Sequence, residues 1–238
     1  MSISKLKISG IDVVIEYKNI KNLHIGVYPP NGKVRIASPL HLNDDSIRLA
    51  IISRLSWLKR QIKNFQEQKR ESKREMVTGE SHYFLGKRYL LDVICDAKKH
   101  FIKINHSKIE LHISKNTSIE NRYKLMQEWY RKELYLILND LIAKWENTIG
   151  VKADSWQIKK MKTKWGSCNI EKRKILFNLY LARVPLECIE YIVVHELLHL
   201  RQRYHNDEFK LLLNQYLPKW QEYQSNLNNI ILSYENWK

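Results

Sequence analysis

The sequence predicts an α+β protein: a mostly antiparallel β region with one long helix, followed by a helical core with a small β-hairpin. Apolar and polar residues alternate in short runs over the first forty residues and again over residues 83–113, as in half-buried strands. Apolar residues recur at helical spacing over residues 47–65, over 120–149 and beyond 185. The first half of the chain is therefore strand-rich and the second half helix-rich.

The strands of the first half are predicted to form one sheet. Residues 29–32, Pro-Pro-Asn-Gly, offer a tight turn between two early runs, and Gly86 with Lys87 offers a hairpin turn in the later group. Asn43 and the two aspartates after it provide an N-cap for a helix over roughly Asp44 to Ser72. The predicted strands are Asp12–Tyr17, Leu23–Val27, Lys33–Ala37 and the alternating runs within Tyr83–Ile94 and Phe101–Ile113.

A domain boundary is predicted directly before the next long helix, so that residues 1–116 form a β-rich region and residues 117–238 a second domain. That helix covers Glu120–Ile149 and ends at Gly150. The remaining predicted elements are strands Trp156–Met161 and Lys174–Leu181, joined as a hairpin by a long loop, a helix starting at Pro185, and a last helix from about Asp207 toward Ile230.

The composition predicts a globular cytoplasmic protein. Of its 238 residues 44% are hydrophobic, which is enough for a core, and no signal-peptide h-region or run of about eighteen apolar residues occurs. The three cysteines are widely spaced, and their spacing indicates neither a disulfide framework nor a Cys-x-x-Cys metal site. A net charge of +16 attracts polyanions, but the basic residues are dispersed along the sequence. The charge is therefore compatible both with nucleic-acid binding and with lysines that are simply solvated at the surface.

Residues 195–199, His-Glu-Leu-Leu-His, form an H-E-x-x-H motif inside a predicted helix. Residues four apart lie on one helix face, so both imidazoles can reach one ion. Zinc lowers the pKa of a bound water to about 7, and Glu196, one residue after the first ligand, can accept the proton of that water. Apolar residues surround the motif, so two histidines and a glutamate there need strong polar partners, which a metal provides. The motif predicts zinc ligands at His195 and His199 and a general base at Glu196.

A catalytic zinc site requires a third protein ligand and an open position for water. His205 is the predicted third ligand, provided that the helix ends before it and the chain folds back. Asn206 and Asp207 offer the start of a new helix there, which favours such a break. Glu208 and Glu222 are the competing candidates.

The motifs of the second half carry a family resemblance. Residues 161–168, Met-Lys-Thr-Lys-Trp-Gly-Ser-Cys, are followed by residues 191–200, Tyr-Ile-Val-Val-His-Glu-Leu-Leu-His-Leu, and then by His205 and Phe209. This pattern, with Trp-Tyr-Arg at 129–131, resembles the YgjP-like metal-dependent hydrolases and, more distantly, the SprT-like (Spartan) metalloprotease domains. The resemblance implies a zincin-like metallopeptidase core in residues 117–238, with zinc at the three histidines.

The Trp-Gly-Ser-Cys segment has a structural and a functional interpretation. In the structural one, Trp165 anchors the core, Gly166 supplies a positive φ and Cys168 is a small buried residue. In the functional one, the segment edges a cleft where Lys164 or Ser167 contacts substrate. Cys168 as a nucleophile is disfavoured because the best base candidates already belong to the metal motif. The sequence departs from the YgjP-like pattern at Lys164, where arginine is frequent, and at Tyr204, where asparagine or a similar residue is usual.

The predicted function is zinc-dependent hydrolysis of a peptide or protein substrate. Two alternatives stay open: a DNA-associated protease recruited by its basic surface, as in the SprT-like relatives, and a structural zinc module closed by a fourth ligand. Oligomeric state is left open. The other histidines are expected at the surface or in satisfied structural positions: His24, His41, His82, His100, His106 and His112.

Overall fold

The computed structural model describes residues 3–28, 32–67, 74–96, 99–161 and 164–229. The fold is α+β, with three small sheets and six α-helices over these residues. The strands are β1 Ile3–Ile8, β2 Ile11–Lys18, β3 His24–Tyr28, β4 Lys33–Pro39, β5 Ser81–Phe84, β6 Lys87–Ile94, β7 Phe101–Asn105, β8 Lys108–His112, β9 Ser155–Lys159, β10 Gly166–Asn169 and β11 Lys174–Asn178. The helices are α1 Asp44–Ile52, α2 Leu55–Glu67, α3 Ile119–Ile149, α4 Leu186–Leu198, α5 Asp207–Tyr216 and α6 Trp220–Asn229, with a 3₁₀ turn at Leu179–Arg183.

The chain divides into two compact units between Ser72 and Lys73. The first holds a sheet of order β1-β2-β4-β3, whose inward residues share a core with Ile47, Ile51 and Leu58 of the helices. The predicted helix starts at its Asn43 cap, whose side chain accepts from the Ser46 N–H at 2.9 Å. The structure has two helices, α1 and α2, where the sequence predicted one. The last predicted residues of that helix, 68–72, lie outside the described residues. Residues 29–31 of the predicted turn also lie outside them.

The second unit opens with a separate sheet of order β5-β6-β8-β7. The prediction that these strands extend the first sheet is wrong, because alternation identifies the buried face of a strand but not its pairing partner. The two sheets share one topology, two hairpins joined by a parallel central pair. Since β5 to β8 pack in one core with the later helices, the boundary predicted at residue 117 falls inside the second unit.

Helix α3 is the long central element of this unit. Its buried residues recur every three or four positions, including Met126, Tyr130, Leu134 and Leu138, and this stripe packs in one core with α4. The helix ends at Gly150, whose φ of 73° is the left-handed conformation that glycine adopts most readily. The predicted bounds of this helix are confirmed to within one residue at each end.

The third sheet corrects the predicted hairpin. Its order is β10-β11-β9, with β9 parallel to β11 and β10 antiparallel to β11. The hairpin is therefore formed by β10 and β11, and the two strands predicted to form it are parallel neighbours. Most of the Trp-Gly-Ser-Cys segment, which was expected to lie in the loop of the predicted hairpin, forms β10 at the edge of this sheet and packs against α4.

Asn178, at the end of β11, fixes both sides of the connection that leads into β10. Its buried amide nitrogen donates to the carbonyl of Met161 at 2.9 Å and to that of Lys164 at 2.7 Å. Its amide oxygen accepts from the N–H groups of Met161 and Tyr180, at 3.3 and 3.2 Å. All four hydrogen-bonding positions of the side chain are thus used, and they anchor the start of the edge strand.

Asn178→Asp is expected to lower the free energy of unfolding by about 2–4 kcal/mol, because a carboxylate in this buried position cannot donate to the two carbonyls and faces them with a negative charge. Urea denaturation measures the loss. Asn169→Asp is the matched control, because this exposed residue only accepts from the Lys172 N–H and aspartate can do the same. Equal stability of the two variants would contradict the anchoring role.

The predicted last helix is two helices, α5 and α6, separated by Leu217, Pro218 and Lys219. Proline at 218 has no N–H and so cannot complete the helical hydrogen-bond ladder, which accounts for the break. Among the described residues no helix combines the length and apolarity needed to span a bilayer.

Candidate metal centre

Three histidines of the second unit converge on one point. Nε2 of His205 lies 3.0 Å from Nε2 of His195 and 3.1 Å from Nε2 of His199. Zinc–nitrogen bonds of about 2.0–2.1 Å at tetrahedral angles place ligand nitrogens roughly 3.3 Å apart. The three nitrogens therefore have a spacing that suits a single small cation, and these residues could hold a metal.

The local sequence brings His205 back to the other two. Helix α4 ends at Leu198, and His199 is its C-cap residue, with φ −62° and ψ −20°. The next helix starts after Asn206, whose side chain caps it by accepting from the Phe209 N–H at 3.0 Å. The eight residues between the helices, 199–206, reverse the chain, so His205 approaches the face from which His195 and His199 project.

The surroundings favour the neutral form of His195 and His199 and orient the rings. Burial, with the two neighbouring imidazoles, lowers the pKa of His195 to about 3, and burial also lowers the pKa of His199. Nδ1 of His199 lies 3.2 Å from the Gln202 carbonyl, so the proton sits on Nδ1 and the Nε2 lone pair faces the cluster. The centroid of the Phe209 ring lies 4.9–5.1 Å from the centroids of all three imidazole rings, so its ring packs against each of them.

Glu196 projects from α4 into the same cleft. It is only 5% exposed, and this burial raises the pKa of its carboxyl to about 8, against the opposing charge of Lys164. Its carboxylate lies directly against Gly166 of the edge strand β10, where a Cβ would come within 2.5 Å of Oε1. The carboxylate is thus held between helix and strand at the side of the cleft.

The cleft has a volume of about 620 Å³ and combines these groups with the edge strand and α6. Tyr191 and Gln224 also line it, and the Gln224 amide donates to the Tyr191 hydroxyl at 3.3 Å. Sequence reasoning did not identify these two, although Tyr191 lies one helical turn before His195 and so shares its face. Cys168 lines the cleft too, but burial and the charge of Glu196 raise its thiol pKa to about 11, which disfavours a thiolate nucleophile.

The other candidate ligands lie apart from the cluster. Glu208 is exposed and accepts from the Gln202 amide at 2.5 Å, and Glu222 is exposed in the first turn of α6. His82 and His112 are buried, while the other four histidines outside the three-histidine cluster are exposed. Within the described ranges, His195, His199 and His205 form the one group of three or more potential metal ligands.

A helix that presents two histidines and a glutamate, with a third histidine returned to it beside an edge strand, is the arrangement expected of a metal-dependent peptidase. The chain matches the YgjP-like family, metallopeptidase domain, over residues 21–230. It belongs to that family, and the resemblance read from its motifs is confirmed.

Two metallopeptidase zymogens are among the similar solved structures. Abylysin of Pyrococcus abyssi is 18% identical, with a TM-score of 0.38, and the match covers 42% of this chain and 99% of that one. Jannalysin of Methanocaldococcus jannaschii is 22% identical, with a TM-score of 0.35, over 38% of this chain and 86% of that one. No curated protein matches the chain.

Proposed function

We propose that this chain is a zinc metallopeptidase in which His195, His199 and His205 bind the metal and Glu196 is the general base. The observation that carries the proposal is the convergence of three imidazoles beside a buried glutamate, with Nε2 of His205 at 3.0 and 3.1 Å from Nε2 of the other two. Neutral imidazole nitrogens are good ligands for zinc.

The ligand set favours a catalytic rather than a structural metal. Structural zinc sites are closed by four protein ligands, whereas catalytic sites use three and keep one position open. In the part of the chain that the structure describes, no fourth histidine, cysteine, aspartate or glutamate joins the three histidines. When bound there, zinc supplies Lewis acidity toward a substrate carbonyl and toward water.

The chain's own part in the reaction is the movement of a proton. The Glu196 carboxylate accepts a proton from the attacking water, whose oxygen forms a bond to the carbonyl carbon of the scissile amide. When the carbon–nitrogen bond breaks, Glu196 returns this proton to the leaving nitrogen, so one water is consumed for each amide cleaved. Burial of the carboxyl excludes competing solvent from the transfer.

An extended peptide is the proposed substrate, because β10 offers a free backbone edge within the cleft. The Asn178 N–H donates to the Trp165 carbonyl at 2.8 Å, which makes these residues a hydrogen-bonded pair of the hairpin. Hydrogen-bonded and non-hydrogen-bonded pairs alternate along antiparallel strands, so the N–H and C=O groups of Gly166 and Cys168 point away from β11. A substrate strand can pair with these groups.

Metal removal and restoration test this function. Hydrolysis of a fluorogenic peptide library is expected to stop when a chelator strips the purified protein, and to recover on addition of one equivalent of zinc. Hydrolysis that continues unchanged in the metal-free protein would contradict the proposal. Nucleic-acid binding, predicted from charge alone, stays a prediction, for which salt-dependent binding to DNA is the test.

A further inference from the structure

Gly166 occupies a position where its conformation does not require glycine. It lies in strand β10, and it is not among the residues with a positive φ, so the positive φ predicted for it from the sequence is wrong. Glycine in a strand is unfavourable, because it adds backbone entropy to the unfolded chain and contributes no side-chain packing. Another cause must account for the missing side chain.

That cause is the carboxylate of Glu196. A Cβ on Gly166 would lie 2.5 Å from Oε1, 2.7 Å from Cγ and 2.8 Å from Cδ of Glu196, all far inside van der Waals contact. By contrast, Gly79 has a positive φ of 91° and nothing within 4 Å of the corresponding position. The backbone conformation thus accounts for glycine at position 79. At position 166 the cause is the Glu196 side chain, which occupies the space that a Cβ would need.

The backbone of α4 cannot easily move to relieve such a contact. Residues on the sides of the helix around Glu196 are fully buried, including Val193, Val194 and Leu197, and the helix packs against α3, α6 and β10. Close-packed interiors resist such shifts. The atoms that a Cβ at 166 would meet belong to the far end of the Glu196 side chain, so this side chain, rather than the backbone of α4, would be displaced.

We infer that Gly166 is a positioning residue: its hydrogen side chain sets the place of the Glu196 carboxylate in the cleft. This inference rests on the proposed function, in which Glu196 is the general base. It gives the Trp-Gly-Ser-Cys segment a role beyond core packing, since one strand both offers its edge to the substrate and fixes the base.

The test is Gly166→Ala, measured for zinc content, kcat and KM on a peptide substrate. We expect about one zinc per chain, a kcat at least tenfold lower and little change in KM, because the metal ligands are untouched while the base is displaced. Gly79→Ala is the control: its strained backbone should lower the thermal midpoint and leave kcat unchanged. A kcat of Gly166→Ala within twofold of wild type would overturn the inference.

Two second-site backgrounds separate positioning from other effects. In Glu196→Gln the base is already absent, so adding Gly166→Ala should not reduce the residual kcat further, whereas an equal loss in both backgrounds would overturn the inference. In Glu196→Ala the crowding side chain is gone, so the fall of about 2–10 °C in thermal midpoint caused by Gly166→Ala should largely disappear.

The second background needs no activity, so it also decides the case in which Gly166→Ala alone is poorly folded. An undiminished thermal effect in Glu196→Ala would show that the carboxylate does not occupy the space. If Glu196→Gln alone leaves kcat unchanged, the proposed function is wrong. The effect of Gly166→Ala on the thermal midpoint, compared with and without Glu196→Ala, would still test the contact between the two residues.

Discussion

Glu196→Gln is expected to keep its zinc and its fold while slowing peptide hydrolysis by about 10²- to 10⁴-fold, the usual contribution of a positioned general base. Glutamine has nearly the same shape as glutamate, so the contact with Gly166 persists, but an amide cannot accept the proton of the attacking water. Zinc content, circular dichroism and kcat are measured on one preparation.

Residual activity is compatible with this expectation, because a bound metal still polarises the carbonyl when the base is missing. Unchanged turnover with full zinc would show that Glu196 is not the base. Loss of the metal would instead mean that the carboxylate supports the site structurally. Glu190→Gln is a suitable comparison: this residue lies on the same helix but binds Lys144 and Trp145 outside the cleft.

Removal of one histidine of the cluster is expected to have the second large effect. His195→Ala and His199→Ala should each empty the site, and His205→Ala should weaken zinc binding by at least about 100-fold, since loss of a direct ligand exceeds the cost of losing an outer partner. Elemental analysis and competition with a zinc-binding dye measure the occupancy and the affinity.

Glu208→Ala and Glu222→Ala are the matched controls, because both residues are exposed and stand apart from the three Nε2 atoms. Both variants should retain about one zinc per chain. Full zinc occupancy in the His195→Ala/His199→Ala double variant would contradict the assignment of these histidines as metal ligands. If Glu222→Ala lost its zinc and His205→Ala bound zinc normally, Glu222 rather than His205 would be the third ligand. The proposed role of Glu196 would not be affected.

The elements that the sequence predicted well are those specified by local chemistry. The bounds of α3 follow from one apolar stripe and from a glycine that can adopt the left-handed conformation at position 150. The hairpin of β5 and β6 follows from alternation around a turn, although the turn residues are Leu85 and Gly86, both with positive φ. The break after α4 follows from the capping ability of Asn206.

Long-range pairing accounts for the elements that were predicted wrongly. The parallel pairing of β9 with β11, and the separation of the first two sheets, depend on partners distant in sequence that a period-two pattern does not specify. The break between α5 and α6 had a local signal in Pro218, whereas the break at Ser53 and Arg54 contains neither glycine nor proline.

In the candidate site, too, the features specified by local sequence could be predicted and those that depend on long-range packing could not. His195, Glu196 and His199 could be assigned from helical spacing, and His205 from the capping residue beside it. The space that Gly166 leaves for Glu196 depends on how β10 packs against α4, and no spacing along the chain reveals it.

Zinc-edge anomalous diffraction from crystals of the purified protein tests the central claim most directly. We expect one anomalous peak per chain, about 2.0–2.1 Å from Nε2 of each of His195, His199 and His205, with no fourth protein ligand. The absence of a peak among these three nitrogens, or a fourth side chain bonded to the metal there, would contradict it.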